Sequence, residues 1–322
     1  MAIARLLNGN GQRVTLWEFD PAEYRRLVEM RGLPEKLKAF TLASTIELTN
    51  DLHQAVADAA MVVLAVPVQS ARSVLKQLGS GFRPPEAGIV NLSKGIEART
   101  LRRMSEIITE ETSVPLEKVV TLSGPSHAEE VILDVPTTVV AAGGSEAIVE
   151  HVQQVFSSRA FRVYKSSDLK GVELGGSLKN VIAIAAGIAD GLRLGDNAKG
   201  ALITRGLAEI TRLGVAMGAR AETFAGLSGL GDLVTTCFSQ HSRNRRVGER
   251  IAKGQALTEV LAELKMVAEG VETTRSVHDL ARLHDAEMPI TNEVFHVLFE
   301  ERTPSSALAE LMGRELKAEI WR

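Results

Sequence analysis

Cysteine and aromatic residues are scarce in this sequence. Its 322 residues include one cysteine, Cys237, and only 4% are Phe, Trp or Tyr. A single cysteine cannot form an internal disulfide or supply a cysteine-based zinc site, so we expect a reducing compartment, the cytoplasm, and no metal. No catalytic motif surrounds Cys237, and we interpret it as a small buried residue.

An excess of positive charge is also missing. The chain has 37 Lys and Arg against 40 Asp and Glu, a formal charge of -3, without the basic stripe that a nucleic-acid surface requires. The longest apolar runs, 59–66 and 181–189, are well short of the roughly 18 residues that span a bilayer. Residues 1–7 are too few for a signal peptide. We expect a soluble protein with no nucleic-acid partner and no membrane span.

The first half of the chain alternates between short β-rich runs and helical patterns. The two runs at 61–66 and 137–142 are apolar throughout, as expected of parallel strands that are covered on both faces. This alternation predicts an α/β fold with a Rossmann-like, doubly wound parallel sheet. The predicted strands are 14–18, 61–66, 89–93, 119–123 and 137–142, with helices at 1–7, 70–78 and 101–111.

The second half has no strand pattern. Stretches rich in Ala, Leu, Glu and Arg predict helices at 201–218, 257–265, 272–283 and 305–317. A chain of this length corresponds to about two domains. The polar segment Lys165–Asp168 separates the two patterns, so we predict an α/β domain at 1–167 and an all-α C-terminal domain at 168–322.

The sequence lacks the glycine-rich turn that opens a Rossmann sheet. In that fold an acidic residue about 20 positions after the glycines ends the second strand. Glu18 ends the run 14–18 and matches that residue, whereas Gly9 and Gly11 precede the run and are typical of a helix C-cap. We therefore expect a first strand and a phosphate turn, about 10 to 15 residues, to be encoded upstream of Met1. The alternative is a fold that tolerates the missing first strand.

A lysine interrupts a stretch of small and apolar residues. In GVELGGSLKNVIAIAAG, residues 171–187, Lys179 and Asn180 are the polar exceptions near the centre. Burial of a lysine disfavours its charged form and lowers its pKa toward neutrality, which suits proton exchange with an alcohol or a ketone. The alternative is a lysine that extends from a helix end into solvent. This segment alone leaves both open.

Two further kinds of segment carry candidate ligand-binding groups. The cluster Ser242-Arg243-Asn244 follows Asp232, and an Arg beside Ser and Asn donors is a good local phosphate site, with a solvated basic turn as the alternative. The loops 93–95 and 123–128 follow two predicted strands, at the carboxyl ends where parallel sheets bind ligands. We interpret His127 in the second loop as a surface residue, with an acid or base role as the alternative.

Taken together, these motifs resemble those of one enzyme family. NLSKGIE, LSGPSHAEEV, ELGGSLKNVIAIAAG, GLSGLGDLVTTC and HSRNRR are similar to segments of bacterial NAD(P)-dependent glycerol-3-phosphate dehydrogenases, in the same order, from about Met1 to Lys317. The resemblance implies that Lys179 accepts the proton of the substrate C2 hydroxyl, with Lys94 and Asp232 beside it. It implies that the substrate, glycerol 3-phosphate or dihydroxyacetone phosphate, contacts Lys94, Gly124, Ser126, Lys179, Asp232, Ser242, Arg243 and Asn244. It implies cofactor contacts at Ala128, Arg243, Val267 and Glu269. We expect further cofactor contacts at Lys94 and, from their place at the end of the run 14–18, at Glu18 and Phe19.

The resemblance also implies a homodimer, a role in glycerophospholipid synthesis and an NAD(P) cofactor. A carboxylate at Glu18 suits the ribose hydroxyls of NAD and repels the 2′-phosphate of NADP, and Phe19 offers no positive charge, so we expect NAD to be favoured. The alternative is that Glu18 points to solvent. Two other functions remain open, which are a 3-hydroxyacid dehydrogenase and a truncated, non-catalytic relative that binds a phosphometabolite.

Overall fold

The computed structural model describes residues 1–35, 37, 40–79, 82–264, 267–316 and 318–319. The first part of the chain contains all the strands of these described residues. They are β1 (Thr15–Trp17), β2 (Glu47–Thr49), β3 (Val62–Leu64), β4 (Ile89–Asn91), β5 (Val119–Ser123), β6 (Thr137–Gly143) and β7 (Phe161–Ser166). Its helices are α1 (Ala2–Gly9), α2 (Pro21–Met30), α3 (Leu52–Val56), α4 (Val68–Leu78), α5 (Met104–Thr112), α6 (Ala128–Val131) and α7 (Glu146–Phe156).

The described residues of the second part form helices joined by loops, with no strand among them. Its helices are α8 (Leu169–Gly191), α9 (Gly195–Ala216), α10 (Ala221–Phe224), α11 (Asp232–Phe238), α12 (Arg243–Ala252), α13 (Leu257–Glu263), α14 (Glu269–Leu283), α15 (Pro289–Phe299) and α16 (Pro304–Met312). A π-helical turn, Leu227–Gly231, runs directly into α11. The predicted change from an α/β layer to helices is confirmed. The division into domains at 167/168 stays a prediction.

The predicted elements are present, with small differences at their ends. All five predicted strands form, as β1 and β3 to β6, and each predicted helix overlaps an observed one. The helices predicted at 257–265 and 305–317 end at Glu263 and Met312, and the terminal residues Lys265 and Lys317 lie outside the described residues. Strands β2 and β7 were not predicted, and no individual helix was predicted at α2, α3, α6, α7, α8, α10, α11, α12 or α15.

The predicted α/β fold with a Rossmann-like sheet is confirmed, but the sheet is not wholly parallel as expected. Strands β3, β4, β5, β6 and β7 form one sheet in that order, and every pair is parallel except β5 with β6, which is antiparallel. An apolar run shows that a strand is covered on both faces, but it does not show the strand's direction. Strand β6 is covered on both faces and runs the opposite way to β5.

Strands β1 and β2 form a separate parallel pair. Strands β1 and β3 belong to different sheets and are not hydrogen bonded to each other. The sheet is therefore divided between the two strands that would flank the first strand of a Rossmann sheet. The expected strand and turn upstream of Met1 stay a prediction.

Helix α8 is the centre of the helical part. It is 23 residues long and almost entirely buried, with α9, α11, α12 and α14 packed around it. It is long and apolar enough to cross a membrane, yet 94% of its apolar window is buried inside the protein. A core position explains this composition, since a helix that is apolar on every side needs partners on every side.

Candidate active site

Helix α8 carries Lys179 into the interior, between two segments that pack unusually close to it. A Cβ at Gly175 would lie 2.7 Å from the carbonyl oxygen of Ser228, and one at Gly176 would lie 2.5 Å from Ser123 Oγ. The two glycines therefore admit the π-helical turn on one side and the end of β5 on the other. Because the π-helical turn leads into α11, this packing brings Asp232 to Lys179.

Three of the predicted residues form one buried ionic cluster. Asp232 Oδ1 lies 2.8 Å from Lys179 Nζ, and Asp232 Oδ2 lies 2.6 Å from Lys94 Nζ. Lys179 Nζ also donates to Thr236 Oγ1 at 2.6 Å. The side chains of Lys179 and Asp232 are only 6% and 3% exposed, which excludes the alternative that this lysine extends into solvent.

Burial and charge set the proton affinities within this cluster. Burial lowers the pKa of Lys179 to about 8, even though Asp232 opposes that shift. Burial by itself would raise the pKa of Asp232, but Lys179 and Lys94 together hold it below its ordinary value. The cluster therefore contains a carboxylate that stays ionised and a lysine that can gain or lose a proton near neutral pH.

Lys94 also joins the cluster to the loop after β5. Its Nζ donates to the carbonyl oxygen of Gly124 at 2.8 Å, and Ser126 Oγ donates to the same oxygen at 3.1 Å. Gly124 has a φ of 143°, and a Cβ there would lie 3.0 Å from the Cα of Val139. A glycine is therefore required for the turn that presents this carbonyl to Lys94.

The cluster Ser242-Arg243-Asn244 lies at the N-terminus of α12. Ser242 caps the helix by accepting from the backbone N–H of Arg245 at 3.2 Å. Asn244 donates to Asn180 Oδ1 at 2.9 Å and accepts from the backbone N–H of Gly270 at 3.0 Å. These contacts fix the start of α12 next to the residue that follows Lys179.

Arg243 connects this cluster to the residues predicted to line the cofactor. Its Nη1 donates to the carbonyl oxygen of Val267 at 2.6 Å, and burial lowers the pKa of Arg243 although Glu129 and Glu269 oppose the shift. Glu269 Oε1 accepts from the backbone N–H of Val68 at 3.1 Å. Ala128 begins α6, in the same loop region as Gly124 and Ser126.

Two predicted cofactor residues lie apart from this network. Glu18 and Phe19 follow β1, and no hydrogen bond or ion pair within the described ranges joins either of them to the residues above. Glu18 Oε1 accepts from the backbone N–H of Asp20 at 3.1 Å, and the Phe19 side chain is 70% exposed. The carboxyl end of β1 thus presents a carboxylate and an exposed ring.

Comparison with known proteins identifies the family of this chain. The model for the N-terminal part of NAD-dependent glycerol-3-phosphate dehydrogenases matches residues 1–149, and the model for the C-terminal part matches residues 168–309. The chain belongs to the glycerol-3-phosphate dehydrogenase family. The family is an NAD(P)-dependent oxidoreductase family, which confirms the predicted enzyme class and cofactor.

Individual members of the glycerol-3-phosphate dehydrogenase family align over almost the whole chain. The Salinibacter ruber protein is 48% identical over 99% of this chain and 93% of its own length. The Citrifermentans bemidjiense protein is 50% identical over 98% of this chain and 95% of its own length. The crystal structure of the Coxiella burnetii enzyme superposes with a TM-score of 0.92 at 35% identity, covering 97% of this chain and 95% of the other.

The residues around Arg243 fit the nicotinamide cofactor of a glycerol-3-phosphate dehydrogenase. Glu269 Oε2 and Thr273 Oγ1 are buried without a hydrogen-bond partner, and both lie within 3.5 Å of where a Cβ on Gly95 would be. Buried polar atoms normally have a hydrogen-bond partner, and for these two atoms a ligand or a water molecule would supply it. No group of three or more His, Cys, Asp and Glu residues that could hold a metal occurs in the described parts of the chain.

Two residues near this candidate site have surroundings that the sequence did not reveal. Thr236 was not singled out, although it lies one helical turn after Asp232, a spacing that places both side chains on one face of α11. His127 is only partly exposed, since its Nε2 is buried without a partner, and its ring lies 6.0 Å from that of His241. Burial, with a further contribution from Lys179, lowers the pKa of His127. Cys237 is buried as predicted, and burial raises its pKa to about 12.

Proposed function

We propose that this protein interconverts dihydroxyacetone phosphate and sn-glycerol 3-phosphate with NAD(P), and that Lys179 exchanges the proton of the C2 oxygen. The observation that supports this role most strongly is the position of Lys179 Nζ, buried between Asp232 and Thr236 with its pKa near 8. An amine of that pKa is effective both as a proton donor and as a proton acceptor at neutral pH.

Each residue of the ionic cluster has a distinct part in the proposed reaction. When bound, the reduced nicotinamide supplies a hydride for C2. Lys179 gives its proton to the C2 oxygen during reduction and takes it back during oxidation. Asp232 holds Lys179 and Lys94 at 2.8 and 2.6 Å, which fixes the direction of both ammonium groups. Lys94 adds a positive charge where the oxygen becomes negative, a form of electrostatic stabilisation.

We assign the substrate phosphate to Ser242, Arg243 and Asn244, with Gly124 and Ser126 on the facing loop. Arg243 contributes a guanidinium and the other groups contribute hydroxyl, amide and backbone contacts. Anchoring the phosphate at α12 lets binding energy position C2 at Lys179. Asn244 supports this alignment because its amide already connects to Asn180, the neighbour of Lys179.

For the cofactor, we assign the nicotinamide end to Lys94, Ala128, Arg243, Val267 and Glu269 and the adenosine ribose to Glu18 and Phe19. The support is the unpartnered Glu269 Oε2 and the exposed Phe19 ring. We propose NAD as the favoured form, because a carboxylate at the end of β1 repels a 2′-phosphate and Phe19 cannot neutralise it.

We also propose that the enzyme is a cytoplasmic homodimer that supplies glycerol 3-phosphate for glycerophospholipids. The support for this is the resemblance to the family. In the same way, we propose residues 1–167 as the dinucleotide-binding domain and 168–322 as the substrate-binding domain, because all described strands precede α8 and Lys179 lies on α8. Light scattering at the assay concentration measures the number of subunits.

The experiment that tests this function is turnover of dihydroxyacetone phosphate with NADH and, separately, with NADPH. We expect activity with a higher kcat/KM for NADH. Lys179→Ala should lower kcat by about a thousandfold, because general acid catalysis contributes roughly 10²–10⁴-fold. Lys170→Ala is the control, since Lys170 lies on the same helix but donates to the carbonyl oxygen of Met217. Faster turnover of a 3-hydroxy acid, or NADH binding without turnover, would favour one of the two alternatives.

A further inference from the structure

We infer that Arg245 and Asp190 are positioning residues, which set the geometry of the phosphate-binding residues without touching the substrate themselves. The inference rests on the proposed function, since it concerns the phosphate that Arg243 is assigned to bind. Arg245 follows the cluster Ser242-Arg243-Asn244 on α12, and Asp190 lies near the end of α8.

The side chain of Arg245 is held by an ion pair with a residue of α8. Its Nε lies 2.5 Å from Asp190 Oδ2, and the two side chains are 16% and 22% exposed. Lys199 from α9 contacts both carboxylate oxygens of Asp190, at 2.7 and 2.9 Å, and its Nζ lies 4.8 Å from the ring centre of Phe238. One carboxylate therefore joins three helices, and the partly buried pairs are less screened than surface pairs.

The backbone of Arg245 is fixed as firmly as its side chain. Its N–H donates to the capping hydroxyl of Ser242. Its carbonyl oxygen packs on Gly187, where a Cβ would lie only 1.9 Å away. Further along, a Cβ at Gly248 would lie 2.0 Å from the carbonyl oxygen of Ile184. The first turns of α12 thus lie directly against the backbone of α8.

The start of α12 is held at two separated points of α8. Asn244 reaches Asn180, and Arg245 reaches Asp190. Asp190 is 11 residues after Lys179, which places it on the same face of α8 about 16 Å further along. Two contacts from consecutive residues to points about 15 Å apart on α8 restrict rotation of the start of α12. Arg243 directly precedes the two held residues on α12, so its direction toward the substrate depends on both.

The test compares Arg245→Gln with Arg246→Gln, a matched control because Arg246 is the exposed next residue of the same helix. We expect Arg245→Gln to raise KM for dihydroxyacetone phosphate about tenfold or more, with kcat changed less than about threefold. The kcat/KM for dihydroxyacetone, which has no phosphate, should stay within about twofold of the wild type. Arg246→Gln should change none of these values.

A double-mutant cycle separates positioning from general loss of structure. If Arg245 acts through Arg243, then Arg245→Gln in an Arg243→Ala background should change KM by less than about twofold. An unchanged KM in the single variant, or an equal loss with dihydroxyacetone, would overturn the inference. Asp190→Asn should reproduce the single-variant result, and it replaces Arg245→Gln if that protein does not fold.

The outcome for the wild type distinguishes the two proposals. If the wild type turns over dihydroxyacetone phosphate but Arg245→Gln keeps its KM, only the positioning role is refuted. If the wild type has no such activity, the proposed function is refuted. The positioning role is then decided by calorimetric titration with inorganic phosphate, which should bind more weakly to Arg245→Gln than to Arg246→Gln.

Discussion

The protonation state of Lys179 depends on two opposing effects on its pKa, which are burial of the amine and the charge of one carboxylate. Burial lowers its pKa, Asp232 raises it and Lys94 lowers it again. Without Asp232, two ammonium groups would occupy one desolvated site, and the pKa of Lys179 would fall further. The side chain that pairs with the proposed catalytic lysine therefore also determines the pH range in which that lysine exchanges protons.

This balance predicts opposite pH profiles for the two directions of the reaction. Reduction needs the protonated amine, so kcat/KM for dihydroxyacetone phosphate should fall about tenfold per pH unit above about 8. Oxidation needs the neutral amine, so kcat/KM for glycerol 3-phosphate should fall below that pH. Initial rates between pH 6 and 10, at about constant ionic strength, measure both profiles.

The variant Asp232→Asn tests whether titration of Lys179 causes these pH profiles. Because Asp232 raises the pKa of Lys179, its loss should move the break in both profiles to lower pH, in addition to lowering the rate. Asp196→Asn, on the exposed first turn of α9, should leave the break in place. Profiles without a break near pH 8, or a break that does not move in Asp232→Asn, would assign the titration to another group.

At the residue scale, the sequence was informative where burying a residue type among its sequence neighbours is unfavourable in free energy. A lysine among Gly, Ala and Ile is such a case, and Lys179 is buried. Thr236 was missed because a threonine in a helix has many ordinary explanations. The unpaired nitrogen of His127 could not be foreseen either, since it depends on how the loop after β5 packs near His241.

At the scale of elements, α9 and α15 are joined through a buried carboxylate. Glu209 on α9 accepts from the backbone N–H groups of Ile290 and Thr291, at 2.6 and 3.1 Å. These donors belong to the first turn of α15, which would otherwise be unpaired. Burial nevertheless raises the pKa of Glu209 to about 7, because the three hydrogen bonds do not fully replace its hydration.

A raised carboxyl pKa makes stability depend on pH in a defined direction. The folded protein holds the proton of Glu209 up to about pH 7, whereas the unfolded chain releases it near 4.5. The stability contributed by this proton is therefore complete below about pH 4.5 and is lost as the pH rises through 7. Between pH 5 and 7, Glu209→Gln should show a smaller decline in unfolding free energy than the wild type.

Denaturant unfolding at several pH values measures this slope. Glu209→Gln should also be less stable overall, because its amide group faces one of the backbone N–H donors. Glu222→Gln, an exposed residue on α10, is the control and should keep the wild-type slope. An unchanged slope in Glu209→Gln would show that Glu209 is ionised throughout this range.

The sequence predicts five of the seven described strands but not all of their relative directions. Strands β3 to β6 were found because their apolar runs reflect burial, which is a local property of composition. Strand β7 was missed because its burial alternates and it lies at the edge of the sheet. The antiparallel pairing of β5 with β6 depends on the path of the connecting loop, which no single strand encodes.

At the scale of the whole molecule, a buried ion pair joins the α/β part to the helical part. Glu173 on α8 lies 2.6 Å from Arg103 Nη1, with side chains 3% and 11% exposed. It also accepts from the backbone N–H and the hydroxyl of Ser105, at 2.8 and 2.7 Å, at the start of α5. Burial raises the pKa of Glu173, although Arg103 and Ser105 oppose that shift. The same helix thus carries Lys179, the proposed catalytic lysine, and the anchor to the α/β part.

Removal of this carboxylate should loosen the connection between the two parts of the molecule. Glu173→Ala leaves Arg103 and Ser105 without their main partner, and breaking a buried pair in this way costs about 3–5 kcal/mol. If Glu173 makes the parts unfold together, scanning calorimetry should resolve two transitions in Glu173→Ala where the wild type shows one. Glu150→Ala, an exposed position on α7, should retain a single transition. The contrary result is that Glu173→Ala unfolds in a single transition at the same temperature as Glu150→Ala. That result would mean that the apolar contacts around α8 are enough to make the two parts of the molecule unfold together.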